Sequence, residues 1–283
     1  MRVQNPPQTL TSLLSLTSGP ANSPVQYVIG GVRMTPGEVE AAAQMLADDA
    51  MRIRCGDSPT LASWRARRDG GPPHAGTRAQ AVAVFAGIGF GLPDSPANED
   101  HLQGHVAELV WWRLVRERSI CDDGRTLVHV SAVKADTLEP GGDGLVVYEI
   151  EGDILVFRLW EIKKHDSDAR VSATIGRASR QLARRGKEYL AKLAGPETSR
   201  EGPLGELFAD MVELWLDSSD RAGVGVSIGT SANHAPSNPR AFGSVTTAFP
   251  KFSRPGQTEA IVVAVPDYKV FAERVRETVW TGL

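Results

Sequence analysis

Gly142-Asp143-Gly144-Leu145-Val146-Val147-Tyr148-Glu149-Ile150, then Glu151-Gly152-Asp153, then Ile154-Leu155-Val156-Phe157-Arg158-Leu159-Trp160-Glu161-Ile162-Lys163, is the stretch whose reading decides the fold. Two runs rich in branched and aromatic residues flank a triplet of turn-forming residues, which predicts a β-hairpin. With the turn centred on Gly152, residues equally distant from it face each other. Asp143 and Glu161 each stand nine positions from Gly152. They should therefore oppose one another across the two strands and project from the same side. Lys163, two residues past Glu161, shares that side. Both faces of the runs are largely apolar, the mark of central, covered strands. Two acids at the end of such strands are costly to bury unless something neutralises them. A divalent cation is the simplest neutraliser, and carboxylate oxygens with one backbone carbonyl suit magnesium.

Working outward, Asn98–Glu117 reads as a helix with Leu102, Val106, Leu109, Val110, Leu114 and Val115 along one face. Glu108 lies between Ala107 and Leu109, near the buried margin, and offers a further ligand or a proton acceptor. A strand is expected at Leu127–Val133. After the hairpin come helices near 168–193 and 204–216, strands at Gly225–Thr230 and Ala260–Val265, and a last helix over Tyr268–Trp280. That order predicts a mixed α/β fold. The first 97 residues read as a mainly helical region that can pack on a core formed by residues 98–283. In it, Thr35-Pro36-Gly37-Glu38 combines a cap, a first-turn Pro and a box acid, opening a helix that runs to about Arg54. Arg78–Phe90 reads as a buried helix, and Val25–Ile29 as one short strand-like run.

A metal held at Asp143 and Glu161 would polarise a phosphate oxygen and lower the pKa of a water, with Lys163 offsetting developing charge. In this arrangement the sequence resembles the PD-(D/E)xK nuclease superfamily, whose core runs helix, three strands, helix, strand. The matching residues are Glu108 on the first helix, Asp143 opening the second strand, and Glu161-Ile162-Lys163 on the third. Pro140 stands three residues before Asp143 rather than next to it. The resemblance spans roughly residues 98–235 and implies a restriction-endonuclease-like core, with Glu108, Asp143, Glu161 and Lys163 catalytic. Of these, Glu108, Asp143 and Glu161 would hold Mg2+ or Mn2+. The layout is also similar to the nuclease subunits of Hachiman-type anti-phage defence systems, which work with a helicase. The chain has no Gly-x4-Gly-Lys-Ser/Thr loop, so an ATP-driven motor would be a separate partner.

Charge is uneven along the chain. Residues 163–192 carry nine Lys and Arg against three acids, a net +6, which leaves −9 on the remainder of a chain of net charge −3. Lys164, Arg170, Arg177, Gln181 and Arg184 follow the hairpin at largely helical spacing and form an expected stripe for nucleic-acid phosphates, with DNA the expected substrate. The competing reading of the whole site is an inactive nucleic-acid-binding or partner-binding module on the same fold, its acids serving structure or contacts.

Other signals are weaker. Gly225-Val226-Ser227-Ile228-Gly229 matches a hydrolase elbow by letter, but no acid separates Ser227 from His234, the only downstream His. Gly87-Ile88-Gly89-Phe90-Gly91 is followed by Pro93 and Pro96, which block the helix a dinucleotide loop must open, so a helix end is expected there. His101, His105 and Glu108 share a helix face and make zinc the rival metal, with orientation of Glu108 as another role for His105. Composition is that of a globular protein, 41% hydrophobic and 23% charged. No apolar run nears the roughly 18 residues of a membrane span. The first residues, with Pro6 and Pro7, do not read as a secretory signal. Two cysteines, Cys55 and Cys121, are too few for a disulfide framework, and a cytoplasmic setting is expected.

Overall fold

The computed structural model describes residues 8–117, 124–134 and 142–283. Pro6, Pro7, Cys121 and Pro140, which entered the sequence reading, lie outside the described residues. In chain order the elements are α1 (Leu10–Leu14), β1 (Thr17–Ser18), β2 (Gln26–Gly30), α2 (Pro36–Cys55), α3 (Pro59–Arg68), α4 (Gly76–Gly87), β3 (Gly91–Leu92), β4 (Ser95–Pro96) and α5 (Glu99–Glu117). They continue as β5 (Thr126–Val130), β6 (Gly144–Ile150), β7 (Ile154–His165), α6 (Val171–Ala194), α7 (Pro203–Leu216), β8 (Val224–Ser231), α8 (Gly243–Ala248), β9 (Thr258–Val265) and α9 (Tyr268–Thr281). The class is mixed α/β.

Seven strands form the main sheet in the order β1-β2-β9-β8-β7-β6-β5. The consecutive strands β5, β6 and β7 pair antiparallel, as short connections require, and β7-β8-β9 pair parallel across helical crossovers. In the β6–β7 hairpin Gly144 pairs with Trp160, Leu145 with Leu159 and Ile150 with Ile154, all equidistant from Gly152. Gly152 (φ 82°) and Asp153 (φ 60°) both take the left-handed conformation, which Gly adopts freely and Asp tolerates better than most residues.

Period-2 alternation feeds two cores. Val146, Tyr148, Trp160 and Ile162 pack with α2, α5 and α9, while Leu145, Val147, Phe157 and Leu159 pack with α6, α7 and α8. Each such fully buried large side chain contributes about 1.5–3 kcal/mol relative to exposure. Because both faces are covered, β7 reads as the near-continuous apolar run seen in its sequence.

The N-terminal residues are built into this core. β2 joins the sheet parallel to β9, from Gln26 beside Glu259 to Gly30 beside Val263. The capping box opens α2 as expected: the Thr35 amide donates to Glu38 Oε2 at 2.7 Å, and the Glu38 amide donates to Thr35 Oγ1 at 3.3 Å. Glu117, at the end of α5, accepts from the amides of Leu10 and Thr11 at 2.8 and 2.7 Å and so fastens α1.

Several boundaries differ from expectation. β5 ends at Val130 rather than Val133, after a register shift between Leu127 and His129, although the chain stays beside β6 as far as Ser131, whose amide donates to the Leu145 carbonyl at 2.8 Å. α4 stops at Gly87, since the positive φ of Gly89 and Gly91 cannot continue a helix. Ser227 is buried in the middle of β8, which continues to Ser231 before a single 3-10 turn, so the elbow reading has no structural counterpart.

Gly144 lies against the Trp111 indole of α5. A Cβ built there falls 2.1 Å from the ring. Gly144→Ala should therefore cost about 1–3 kcal/mol, read as a lower denaturant midpoint at unchanged m-value.

Candidate functional site

β6 begins at Gly144, one residue after Asp143, so the ladder ends just as the acids arrive. The backbone N–H of Ile162 then has no β6 carbonyl opposite it and donates to Asp143 Oδ2 at 2.9 Å. Lys134, just beyond β5, donates to Asp143 Oδ1 at 3.2 Å. From β7, the Lys163 amine lies 2.5 Å from Glu161 Oε1 and 3.5 Å from Asp143 Oδ2. The structure thus brings Asp143, Glu161 and Lys163 together on one side of the hairpin. Glu108 reaches the same end of the sheet from α5; its ionised form feels Asp143, Lys134 and Lys163, and the Lys134 amide donates to it.

The electrostatics are those of acids crowded in a dry corner. Burial, then the charge of Asp143, pushes Glu108 up to about 8. Glu161, with no exposed surface, is raised for the same two reasons in the same order. Burial opposes the charged form of Lys163, yet Asp143 and Glu161 outweigh it and raise the amine. Lys163 contacts Glu161 as an ion pair rather than an aligned hydrogen bond, and neither Glu161 oxygen has an aligned donor; nor has Glu108 Oε2. Buried carboxylate oxygens without donors are expensive.

The Glu161 oxygens and Glu108 Oε2, which lack aligned donors, and the Asp143 oxygens, which have them, are all hard ligands that fit Mg2+ or Mn2+. Among the described residues, however, no three His, Cys, Asp or Glu side chains are already gathered as a metal cage. The lysines hold the acids instead, so loading a cation requires Lys163 to give up at least one ion pair.

The remaining expected residues divide. Lys164 points away from Lys163, as strand alternation demands, and pairs with Asp100 of α5 at 2.7 Å and with Asp166. Gln181 donates to the Tyr189 hydroxyl at 3.0 Å. Arg170, Arg177 and Arg184 are exposed on or beside α6. His105 does not orient Glu108: its Nε2 lies 2.6 Å from the Arg54 guanidinium, and its ring meets Phe90 edge-on. Burial, then Arg54, lowers it to about 3, so it is a neutral core histidine, and His101 is exposed. A zinc cage on this helix face is not formed.

Sequence reasoning missed Lys134, whose only signal was its place just past a strand, and His165. The latter continues the odd-numbered polar row of β7 after Glu161 and Lys163. No helix among the described residues is long and apolar enough to cross a membrane. No family model, curated protein or solved structure matches the chain.

Proposed function

We propose that this chain is a divalent-metal-dependent nuclease that hydrolyses phosphodiester bonds in DNA. The observation that carries the reading is the convergence of Asp143, Glu161 and Lys163 at the open end of the β6–β7 ladder, with Glu108 arriving from α5. The order α5, β5-β6-β7, α6, β8, with α7 inserted before β8, supports a restriction-endonuclease-like core. A bound Mg2+ would neutralise the carboxylates, polarise a phosphate oxygen and acidify a water. Asp143 is oriented for such a role by the Ile162 amide. Lys163, released from its acids, places a positive charge where the phosphate gains negative charge. Glu108, raised to about 8 without metal, keeps its proton near neutral pH until a bound cation displaces it.

A role in anti-phage defence beside a helicase partner rests on the sequence resemblance alone. A second reading, an inactive module, is favoured by the lysine ion pairs, which already neutralise much of the acidic charge without metal. Incubation of labelled linear, circular and single-stranded DNA with magnesium, and with chelator, separates the two. The nuclease reading expects cleavage in magnesium only; the inactive module expects none.

The exposed arginines of α6 supply the expected phosphate track. Arg177→Ala with Arg184→Ala should weaken binding of every DNA sequence alike. The slope of log affinity against log salt should become shallower by about 0.9 per lost contact. An unchanged salt slope would assign the stripe to a merely solvated face.

A further inference from the structure

Beyond Lys163, β7 carries one more polar side chain on the α6 side, and it is buried. Leu155, Phe157 and Leu159 fill the earlier odd positions with core; Glu161, Lys163 and His165 follow. His165 is 2% exposed, and its Nε2 has no aligned hydrogen-bond partner, the Ala169 backbone being a further polar neighbour of the ring besides Thr174. A buried polar ring atom left so is costly, which points to a ligand for it. Its Nδ1 lies 2.8 Å from Thr174 Oγ1, and Arg177 Nη2 donates to the same oxygen at 3.0 Å. Thr174 is itself buried, so it fixes both the imidazole and the base of the Arg177 guanidinium. His234, in the turn after β8, meets the His165 ring edge-on with centroids 5.1 Å apart. Thr230 ties β8 to this point by donating to the His165 carbonyl at 3.0 Å.

We propose that His165, His234 and Arg177 form an anion subsite that binds the DNA phosphate next to the one cleaved. This rests on the nuclease reading of the neighbouring cluster. The two-residue step from Lys163 to His165 is about 6.6 Å along the strand, the scale of one nucleotide on an extended backbone. The His165 imidazole from β7, the Arg177 guanidinium from α6 and the His234 imidazole, whose Nε2 lies 3.2 Å from Asn233 Nδ2, would approach one phosphate from three elements. The subsite sets which phosphate faces Asp143 and Glu161, a positioning role separate from the chemistry.

The test uses a set of fluorescein-labelled oligonucleotides, each with one uncharged methylphosphonate at a different position, binding in calcium to prevent cutting. Wild type, His234→Ala and Arg177→Ala are compared by anisotropy, because His165 variants can fail to fold. One methylphosphonate position should weaken wild-type binding about tenfold, and that loss should shrink to under about threefold in each variant, since the same contact has already gone. Equal losses in wild type and variants at every position would overturn the subsite. If wild type cleaves DNA in magnesium but shows those equal losses, the nuclease reading stands and the subsite falls. If the position-specific loss appears while no DNA is cut, the subsite stands and the nuclease reading falls. Absence of DNA binding by wild type sinks both.

Discussion

Glu161→Ala and Lys163→Ala should each lower DNA cleavage in magnesium by on the order of 10^3-fold or more, while the protein stays folded. Glu161 is the most buried of the acids, and its one close polar contact is the Lys163 amine at 2.5 Å, so its removal takes away a ligand and a single ion pair. Removing its charge from beside Asp143 also relieves repulsion. Without metal, the relieved burial and repulsion offset the lost Lys163 pair, so Glu161→Gln should melt within a few degrees of wild type. Lys163→Ala behaves differently, because it leaves Asp143 and Glu161 facing each other without the amine that now bridges them. That variant should be less stable in chelator and should regain stability in magnesium. Turnover is followed with labelled DNA and folding by circular dichroism. Cleavage that persists equally in wild type and both variants would place the activity elsewhere.

In the metal-free protein the stability contributed by the Glu108 proton should be lost as pH rises from about 4.5 toward about 8, and magnesium should reverse that loss. The sign follows from Glu108. Its carboxyl is raised from 4.5 to about 8 in the folded chain, so folding favours the protonated form. The stabilising contribution of that proton is complete below about 4.5 and disappears as pH passes through about 8. Glu161 shifts in the same direction. Asp49, buried against Arg113, is raised too, while burial lowers His105, His129 and His165 and so adds stability as pH rises, so wild type alone does not isolate the site. The comparison with Glu108→Gln does, because that variant should show a flatter dependence of melting temperature on pH. Magnesium competes with protons for the same oxygens, so its stabilising effect should be larger near pH 8 than near pH 5. A magnesium effect independent of pH, or absent, would remove these carboxylates from any metal site.

The hairpin was legible because its register follows from one triplet and the strict period of two. Gly152 set the pairing, and the pairing set which acids meet. The capping box of α2 and the ends of α6, α7 and α9 were legible for the same reason: local chemistry decides them. What was not legible depended on distant partners. Lys134 reaches Asp143 across the β5–β6 pairing, nine residues away in sequence, which no local pattern announces. His105 looked like a partner for Glu108 on its own helix, yet Arg54, fifty-one residues earlier, claims it. Lys164 looked like part of a basic stripe, but strand alternation sends it to the α5 side, where Asp100 pairs with it. The place of Val25–Ile29 was equally hidden, since pairing with β9 across more than 200 residues leaves no trace in either segment alone.

The most direct measurement is the anomalous scattering of Mn2+ in crystals grown at about pH 8, for wild type and Asp143→Asn. A manganese peak should touch carboxylate oxygens of Asp143 and Glu161, with the Lys163 amine displaced from at least one of them and the peak lost in the variant. Saturating manganese that leaves Lys163 bridging both acids, with no peak between them, would contradict it.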